Sequence, residues 1–417
     1  MLLRARTVLP ITAPPIDDGA VLIGDGRIIA VGRWADLQRD ASTQVIDLGD
    51  TILMPGLINA HCHLDYTDMA GQLPPPRVFT DWIKQIITLK SSWTRDDYAR
   101  SWENGARMLL RSGTTTVMDI ETMLDLLPDV WSATPLRMIS CAELISVRSH
   151  LAVSEQVAGA VARLSALNEP MKRVGLAPHA PYSTTLELLS LAARAAMDRS
   201  WPVTLHVAES QAEFDMFMYR RGPMFDWLKP QRAMDDCGIG SPVHHAEASG
   251  ALGRNCVAAH VNYLWDNDAE ALARTGTSVV HCPRSHDFFQ HQRFPFDRLQ
   301  TAGVNICLGT DSLATLATKR GELAALNLFS EMRAFSAMAP LIRPETVVRM
   351  ATVNGARALG LAGQVGEICI GAEADLITLP RPSGEVDPWD AVLEHRGDVQ
   401  SSMINGRWVL NPPLTGG

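Results

Sequence analysis

The chain alternates eight short apolar runs with segments of helical spacing. The runs are "TILMPGLINAHCH" (51–63), "GTTTVMDI" (113–120), "LRMISCAEL" (136–144), "RVGLAPHAPY" (173–182), "PVTLHVAES" (202–210), "NCVAAHVNYL" (255–264), "TSVVHCPRS" (277–285) and "GVNICLGTDS" (303–312). Hydrophobicity within them is continuous rather than alternating, as expected of parallel strands buried on both faces. The segments between them read as helices. In "SWTRDDYARSWENGARMLLRSG", Thr94 with Asp97 predicts a capping box. Tyr98, Trp102, Ala106, Leu109 and Leu110 then recur at helical spacing, and Gly113 supplies a stop. "STTLELLSLAARAAMDRS" repeats the theme, as does "RPETVVRMATVNGARALGL", with Pro344 in its first turn and Gly360 near its end.

Strand and helix in eightfold alternation predict an α/β fold, a (β/α)8 TIM-like barrel over residues 56–362. The flanks have a different pattern. "GAVLIGDGRIIAVG" carries the hairpin signal Asp25-Gly26, and "SSMINGRWVL" carries Asn405-Gly406. Isolated hairpins are marginal, so residues 1–55 and 363–417 are expected to pair into one small β-sandwich domain beside the barrel.

Polar residues interrupt the apolar runs at their C-terminal ends. His61 and His63 close the first run with one residue between them. At about 3.3 Å rise per residue their Cα atoms lie about 6.6 Å apart on one strand face, within reach of a shared metal ion. Two hydrogen-bonded histidines at a strand end would give the same pattern. Against that, His179, His206, His260 and Asp311 end the fourth, fifth, sixth and eighth runs, and Glu143 ends the third. A barrel gathers its catalytic residues at that rim, so the pattern predicts a metal site there.

Composition narrows the functional classes. Hydrophobic content of 46% and charged content of 20% describe an ordinary globular protein. The net charge of −9 has no compensating basic stripe, which argues against nucleic acid as a partner. Seven cysteines without a CxxC pair indicate neither a disulfide framework nor a cysteine zinc site. No run approaches the ~18 apolar residues of a membrane span, and "MLLRARTVLPITAPP" makes a poor signal peptide. A soluble cytoplasmic protein with no membrane partner is expected. A homo-oligomer is compatible with the sequence, which carries no signal for subunit number.

The motifs "HCHLD", "LHVAES", "AAHVNYL", "HCPRS" and "GTDS" resemble those of the metal-dependent amidohydrolase superfamily. Within it, the resemblance is to the branch of chlorohydrolases and purine-nucleoside deaminases, including aminodeoxyfutalosine deaminases, and it covers nearly the whole chain. It implies that His61, His63, His206 and Asp311 ligate one divalent metal ion, Zn2+ with Fe2+ or Mn2+ as alternatives. It further implies that Glu209 and His260 handle the protons of the attacking water, with Asp311 assisting. Two-metal relatives carry a bridging lysine at the end of the fourth strand. Here "APHAPY" stands in that place, and Lys172, seven residues earlier, belongs about 23 Å away towards the opposite rim.

His179, Glu143 and Trp82 are the candidates for substrate contact, although Glu143 could instead pair with an arginine such as Arg148. His281 matches a family motif without assigned chemistry and reads as a supporting residue. His244 and His245 read as surface-loop residues. Three segments, 73–87, 214–228 and 286–299, are rich in aromatic and apolar residues that suit a flat heterocycle or ordinary packing.

The expected function is a metal-dependent hydrolytic deaminase of an aminated heterocycle, acting on the amidine carbon through metal-activated hydroxide and releasing ammonia. An adenine-containing nucleoside is the leading substrate: aminodeoxyfutalosine, adenosine or S-adenosylhomocysteine. A chlorohydrolase or guanine-type base deaminase of the same superfamily is the alternative. A non-catalytic scaffold of this fold fits less well, because the ligand set and Glu209 are intact.

Overall fold

The computed structural model describes residues 1–38, 44–147, 149–316 and 324–413. The first 55 residues supply β1 (Leu2–Val8), β2 (Ile16–Gly24), β3 (Arg27–Arg33), β4 (Val45–Asp47) and β5 (Thr51–Pro55). The hairpin between β2 and β3 turns at Asp25 and Gly26, whose φ values of 50° and 78° are the paired left-handed conformations of the expected turn.

Each of the eight apolar runs contains one strand of a parallel sheet: β6 (Leu57–Cys62), β7 (Thr114–Glu121), β8 (Arg137–Leu144), β9 (Lys172–Pro178), β10 (Val203–Val207), β11 (Cys256–His260), β12 (Ser278–His281) and β13 (Ile306–Leu308). They neighbour one another in chain order. β7, β10, β11 and β12 are buried throughout, which accounts for their unbroken apolar pattern. The ring closes where Cys62 bridges Asp311 and the amides of Thr310 and Asp311 both donate to the His61 carbonyl at 3.1 Å.

Gly309 makes this closure possible. A Cβ there would lie 2.7 Å from the His61 carbonyl oxygen and 2.9 Å from its Cβ. Gly309→Ala is therefore expected to force β13 away from β6, with a loss of about 2–3 kcal/mol. Calorimetry would read this as a lowered Tm, and metal analysis as reduced occupancy.

After the barrel come β14 (Leu376–Pro380), β15 (Ser401–Ile404) and β16 (Arg407–Leu410). They join the N-terminal strands in one sheet of order β16-β15-β14-β5-β1-β2-β3, with β4 also on β1. The two chain ends thus pair directly, β14 running antiparallel to β5 from Leu376 opposite Pro55 to Pro380 opposite Thr51. The run 51–63 is divided between the two sheets at Gly56, where any Cβ would collide with the Thr115 side chain.

Thr94 and Asp97 form the predicted capping box of helix Arg95–Arg111. The helix expected over 343–361 is broken instead. Pro344–Met350 and Val353–Ala358 are separated at Thr352, whose φ of −133° and ψ of −101° interrupt the spiral. The second piece, with Leu359, Leu361 and Val365, packs on Ile58, Met118, Ile139 and Val257. It sits by the start of β6, where the Ile58 amide bonds the Ala351 carbonyl, so the C-terminal rim stays open for chemistry. Among the described residues no helix is long and apolar enough to cross a membrane.

Candidate active site

Strand ends with unusual backbone aim the side chains. Ala208 (φ 50°), His260 (φ 72°), Val261 (φ 50°) and Asp311 (φ 53°) all adopt left-handed conformations that such residues avoid. Backbone held this way is over-determined by its surroundings and concentrates at functional sites. The kink at Ala208 lets His206 and Glu209, three residues apart, both contribute to one pocket. The Glu209 loop is pinned at both ends of its peptide unit. Its amide donates to the buried Glu213 carboxylate at 2.8 Å, and its carbonyl accepts from Asn262 Nδ2 at 2.9 Å.

The predicted metal ligands converge. His61, His63 and Asp311 present ligand atoms all within 4.8 Å of one another, and so do His61, His206 and His260. Asp311 Oδ1 lies 3.7 Å from His61 Nε2 and 3.8 Å from His63 Nε2. Its other oxygen accepts from Ser285 Oγ at 2.6 Å. Glu209, His260 and Asp311 make a third such trio, with His260 Nε2 3.7 Å from Glu209 Oε1.

Proton positions follow from the hydrogen bonds. His206 Nδ1 faces the His179 carbonyl at 2.8 Å, and a carbonyl only accepts, so Nδ1 carries the hydrogen. The lone pair is therefore on Nε2, which faces His63 Nε2 at 3.3 Å. His61 Nδ1 and Nε2, His63 Nδ1 and His260 Nε2 are buried with no protein partner. Desolvated nitrogens left unpaired are costly, and a cation among them would satisfy several at once. Three imidazoles and a carboxylate are a donor set for a divalent first-row ion. The residues fit the metal that the sequence resemblance implies.

Burial sets the charge states. It pushes His206 down to about 4, with His61 adding to the effect, and it holds His63 and His260 well below the usual histidine range, so these imidazoles are neutral. For Asp311 burial acts in the opposite direction, yet the nearby His61 and the other surrounding imidazoles keep it well below the usual carboxylate range. Burial raises Glu209 well above its ordinary value, reinforced by Asp311 and Glu213.

The sequence profile of the amidohydrolase family matches residues 52–409. The chain belongs to the amidohydrolase family. At 31% identity over 94% of this chain and 88% of the relative, it is similar to a 5-methylthioadenosine/S-adenosylhomocysteine deaminase of Syntrophobacter fumaroxidans. At 30% identity over 96% and 92%, it is similar to the 5'-deoxyadenosine deaminase of Methanothermobacter thermautotrophicus. An adenosine deaminase from Xanthomonas campestris with bound zinc superposes at TM-score 0.84 and 26% identity, covering 98% of this chain and 92% of that one. Aminofutalosine deaminase of Helicobacter pylori, solved with methylthio-coformycin, shares the fold at TM-score 0.87 and 19% identity, over 98% and 100%.

Around the histidine–aspartate cluster of this amidohydrolase, Trp82, Glu143 and His179 line the same pocket as His63, His206 and Glu209. Arg148, weighed as a partner of Glu143, lies outside the described residues. Two of the three aromatic segments contribute to the wall: Trp82, Ile83, Ile86 and Ile87 from helix Phe79–Lys90, and Trp227 with Leu228 from the region of helix Pro223–Leu228. The third acts indirectly, its Phe289 packing on Phe79 and Trp82.

Lys172 donates to the Thr134 and Leu136 carbonyls ahead of β8, at the rim opposite the site. His281 is buried against Phe294 and joins none of the three trios. The surface reading of His245 is corrected: it lies in helix Pro242–Ala248, buried beside Phe217 and Asp236. Its neighbours come from segments distant in sequence, so local polarity misled.

Sequence reasoning missed three contributors. Ser285 was visible within "HCPRS", and Glu213 completes an S-x-x-E capping pattern begun at Ser210. Lys90 ends helix Phe79–Lys90, beyond the aromatic segment 73–87, where nothing local marked it as facing the pocket.

Proposed function

We propose that this amidohydrolase is a hydrolytic deaminase of an adenine nucleoside. The observation that carries the reading is the junction of two clusters: Glu209, His260 and Asp311 converge beside the three imidazoles, on the floor of a pocket walled by Trp82, Ile83 and Ile86. Groups that ligate and groups that move protons therefore face one substrate position. His61, His63, His206 and Asp311 would hold the ion, for which we propose zinc. Bound there, it supplies Lewis acidity that makes water nucleophilic near neutral pH.

The chain's own residues account for the proton traffic. Glu209, with its raised pKa, takes a proton from the attacking water and passes it to the ring nitrogen beside the amidine carbon. Asp311 is held ionised and oriented by Ser285, so it fixes the water by accepting its other hydrogen. His260, within 3.7 Å of Glu209, steadies that carboxyl group. The second proton reaches the exocyclic amine, which leaves as ammonia. His179, its Nδ1 held by Ser183 at 2.6 Å, offers Nε2 to the heterocycle, and Trp82 supplies a flat wall. The unpaired thiols, six of seven buried, support a reducing, cytoplasmic setting.

The test is a panel of adenosine, 5-methylthioadenosine, 5'-deoxyadenosine, S-adenosylhomocysteine, aminodeoxyfutalosine, guanine and a chlorotriazine, with ammonia and chloride both measured. Ammonia release from at least one adenine nucleoside is expected, with kcat/KM on the order of 10⁴ M⁻¹s⁻¹ or more. Turnover confined to guanine or the chlorotriazine would refute the reading.

A further inference from the structure

Lys90 is the one Lys or Arg among the described residues that line the pocket. It bonds the Tyr66 hydroxyl, its ammonium lies 4.6 Å over the Tyr66 ring centre, and Nζ stands 3.9 Å from Glu143 Oε2. Glu143 Oε1 is in turn 4.0 Å from His179 Nε2. Both separations exceed hydrogen-bond length. An oxygen about 2.8 Å from each charged group would bridge Lys90 and Glu143 with two charge-assisted bonds. Neither residue has a part in moving the protons of the deamination.

Position indicates which oxygen that is. The His179 ring is 4.8 Å from the ring of His206. The Lys90–Glu143 pair is thus one side chain removed from the metal-ligand cluster, beside the seat of the heterocycle itself. The group attached directly to that heterocycle in a nucleoside is the sugar ring. Beyond the pair the wall turns apolar, with Ile145, Val147 and the half-exposed Ile87 towards the mouth. Charge is therefore available where a sugar's hydroxyls would lie and scarce where a 5' substituent would extend.

We propose that Lys90 and Glu143 form the site for the vicinal hydroxyls of the nucleoside sugar. Glu143 accepts from a hydroxyl and Lys90 donates to its oxygen, so the enzyme selects ribonucleosides over deoxyribonucleosides and free bases. This rests on the deaminase reading, whose substrate class it narrows.

The experiment compares adenosine, 2'-deoxyadenosine and 3'-deoxyadenosine as substrates, and inosine with 2'-deoxyinosine as ligands that need no turnover. It uses the metal-loaded wild type, Glu143→Ala, Glu143→Gln and Lys90→Met. In the wild type, losing a hydroxyl should cost about 10- to 100-fold in kcat/KM and in calorimetric affinity. Glu143→Ala should bring that preference below threefold, with the loss falling on KM while kcat and metal content hold. Glu143→Gln, still an acceptor, should restore part of it, and Lys90→Met should weaken it. An unchanged ribose preference in Glu143→Ala would overturn the assignment. If no nucleoside is deaminated yet inosine still outbinds 2'-deoxyinosine through Glu143, the deaminase reading falls and the hydroxyl site stands. If no nucleoside binds, both fall.

Discussion

Glu209→Gln is expected to lower kcat by about 10³-fold while leaving stoichiometric metal and a KM within a few-fold of wild type. Glutamine keeps the shape of the side chain and its hydrogen-bonding atoms but cannot carry a proton between water and the ring nitrogen. The surroundings should tolerate the exchange. The loop is held through its backbone by Glu213 and Asn262, so the side chain is free to change without releasing the peptide. Burial already disfavours the ionised form of Glu209, so an uncharged replacement adds no desolvation cost. Steady-state kinetics with metal quantified on the same sample decides the matter. Full metal with kcat within tenfold of wild type would remove Glu209 from the proton path.

Stripping the ion should have an effect at least as large. Chelation is expected to abolish turnover and to lower stability by about 4 kcal/mol relative to a thousandfold excess of metal over Kd. For a chain of this size that is about 5 °C in Tm. The loss arises because His63 Nε2 and His206 Nε2 are left facing each other at 3.3 Å with His61 unpaired beneath them. Readdition of zinc should restore both activity and Tm, and calorimetry before and after chelation checks it. Acid should displace the ion late. With His206 held down to about 4 from an ordinary 6.5, its lone pair stays available well below the range where an exposed histidine protonates. Below about 6.5 the unfolded chain takes up a proton at His206 that the native site refuses, so this group's contribution to stability declines as pH falls towards about 4. Metal occupancy should hold at pH 5.5 and fail as the pH nears 4; release already at pH 6.5 would contradict the buried, neutral ligand set.

The fold was legible to different degrees at different scales. Eight continuous apolar runs announced eight buried parallel strands, since burial on both faces leaves no polar alternation to read. Thr94 with Asp97, Asp25-Gly26 and Asn405-Gly406 announced a cap and two turns because each acts within four residues. The helix break at Thr352 was missed although Thr352, Val353, Asn354 and Gly355 are weak helix formers, because apolar residues keep helical spacing on both sides of it. The division of the first run at Gly56 was equally hidden: its two halves are alike in hydrophobicity, and only Thr115, 59 positions away, forces the glycine.

The candidate site divides along the same line. Which residues sit at strand ends, and that His61 pairs with His63, follow from local spacing, because the strand repeat is short and strict. That His63 and His206, 143 positions apart, place their nitrogens against one another depends on ring closure and strand register. The same holds for Lys90 reaching Glu143 from another element and for His245 lying buried. Such contacts belong to pairs of surfaces brought together by the closed sheet, and no periodicity along a single chain encodes the distance between them.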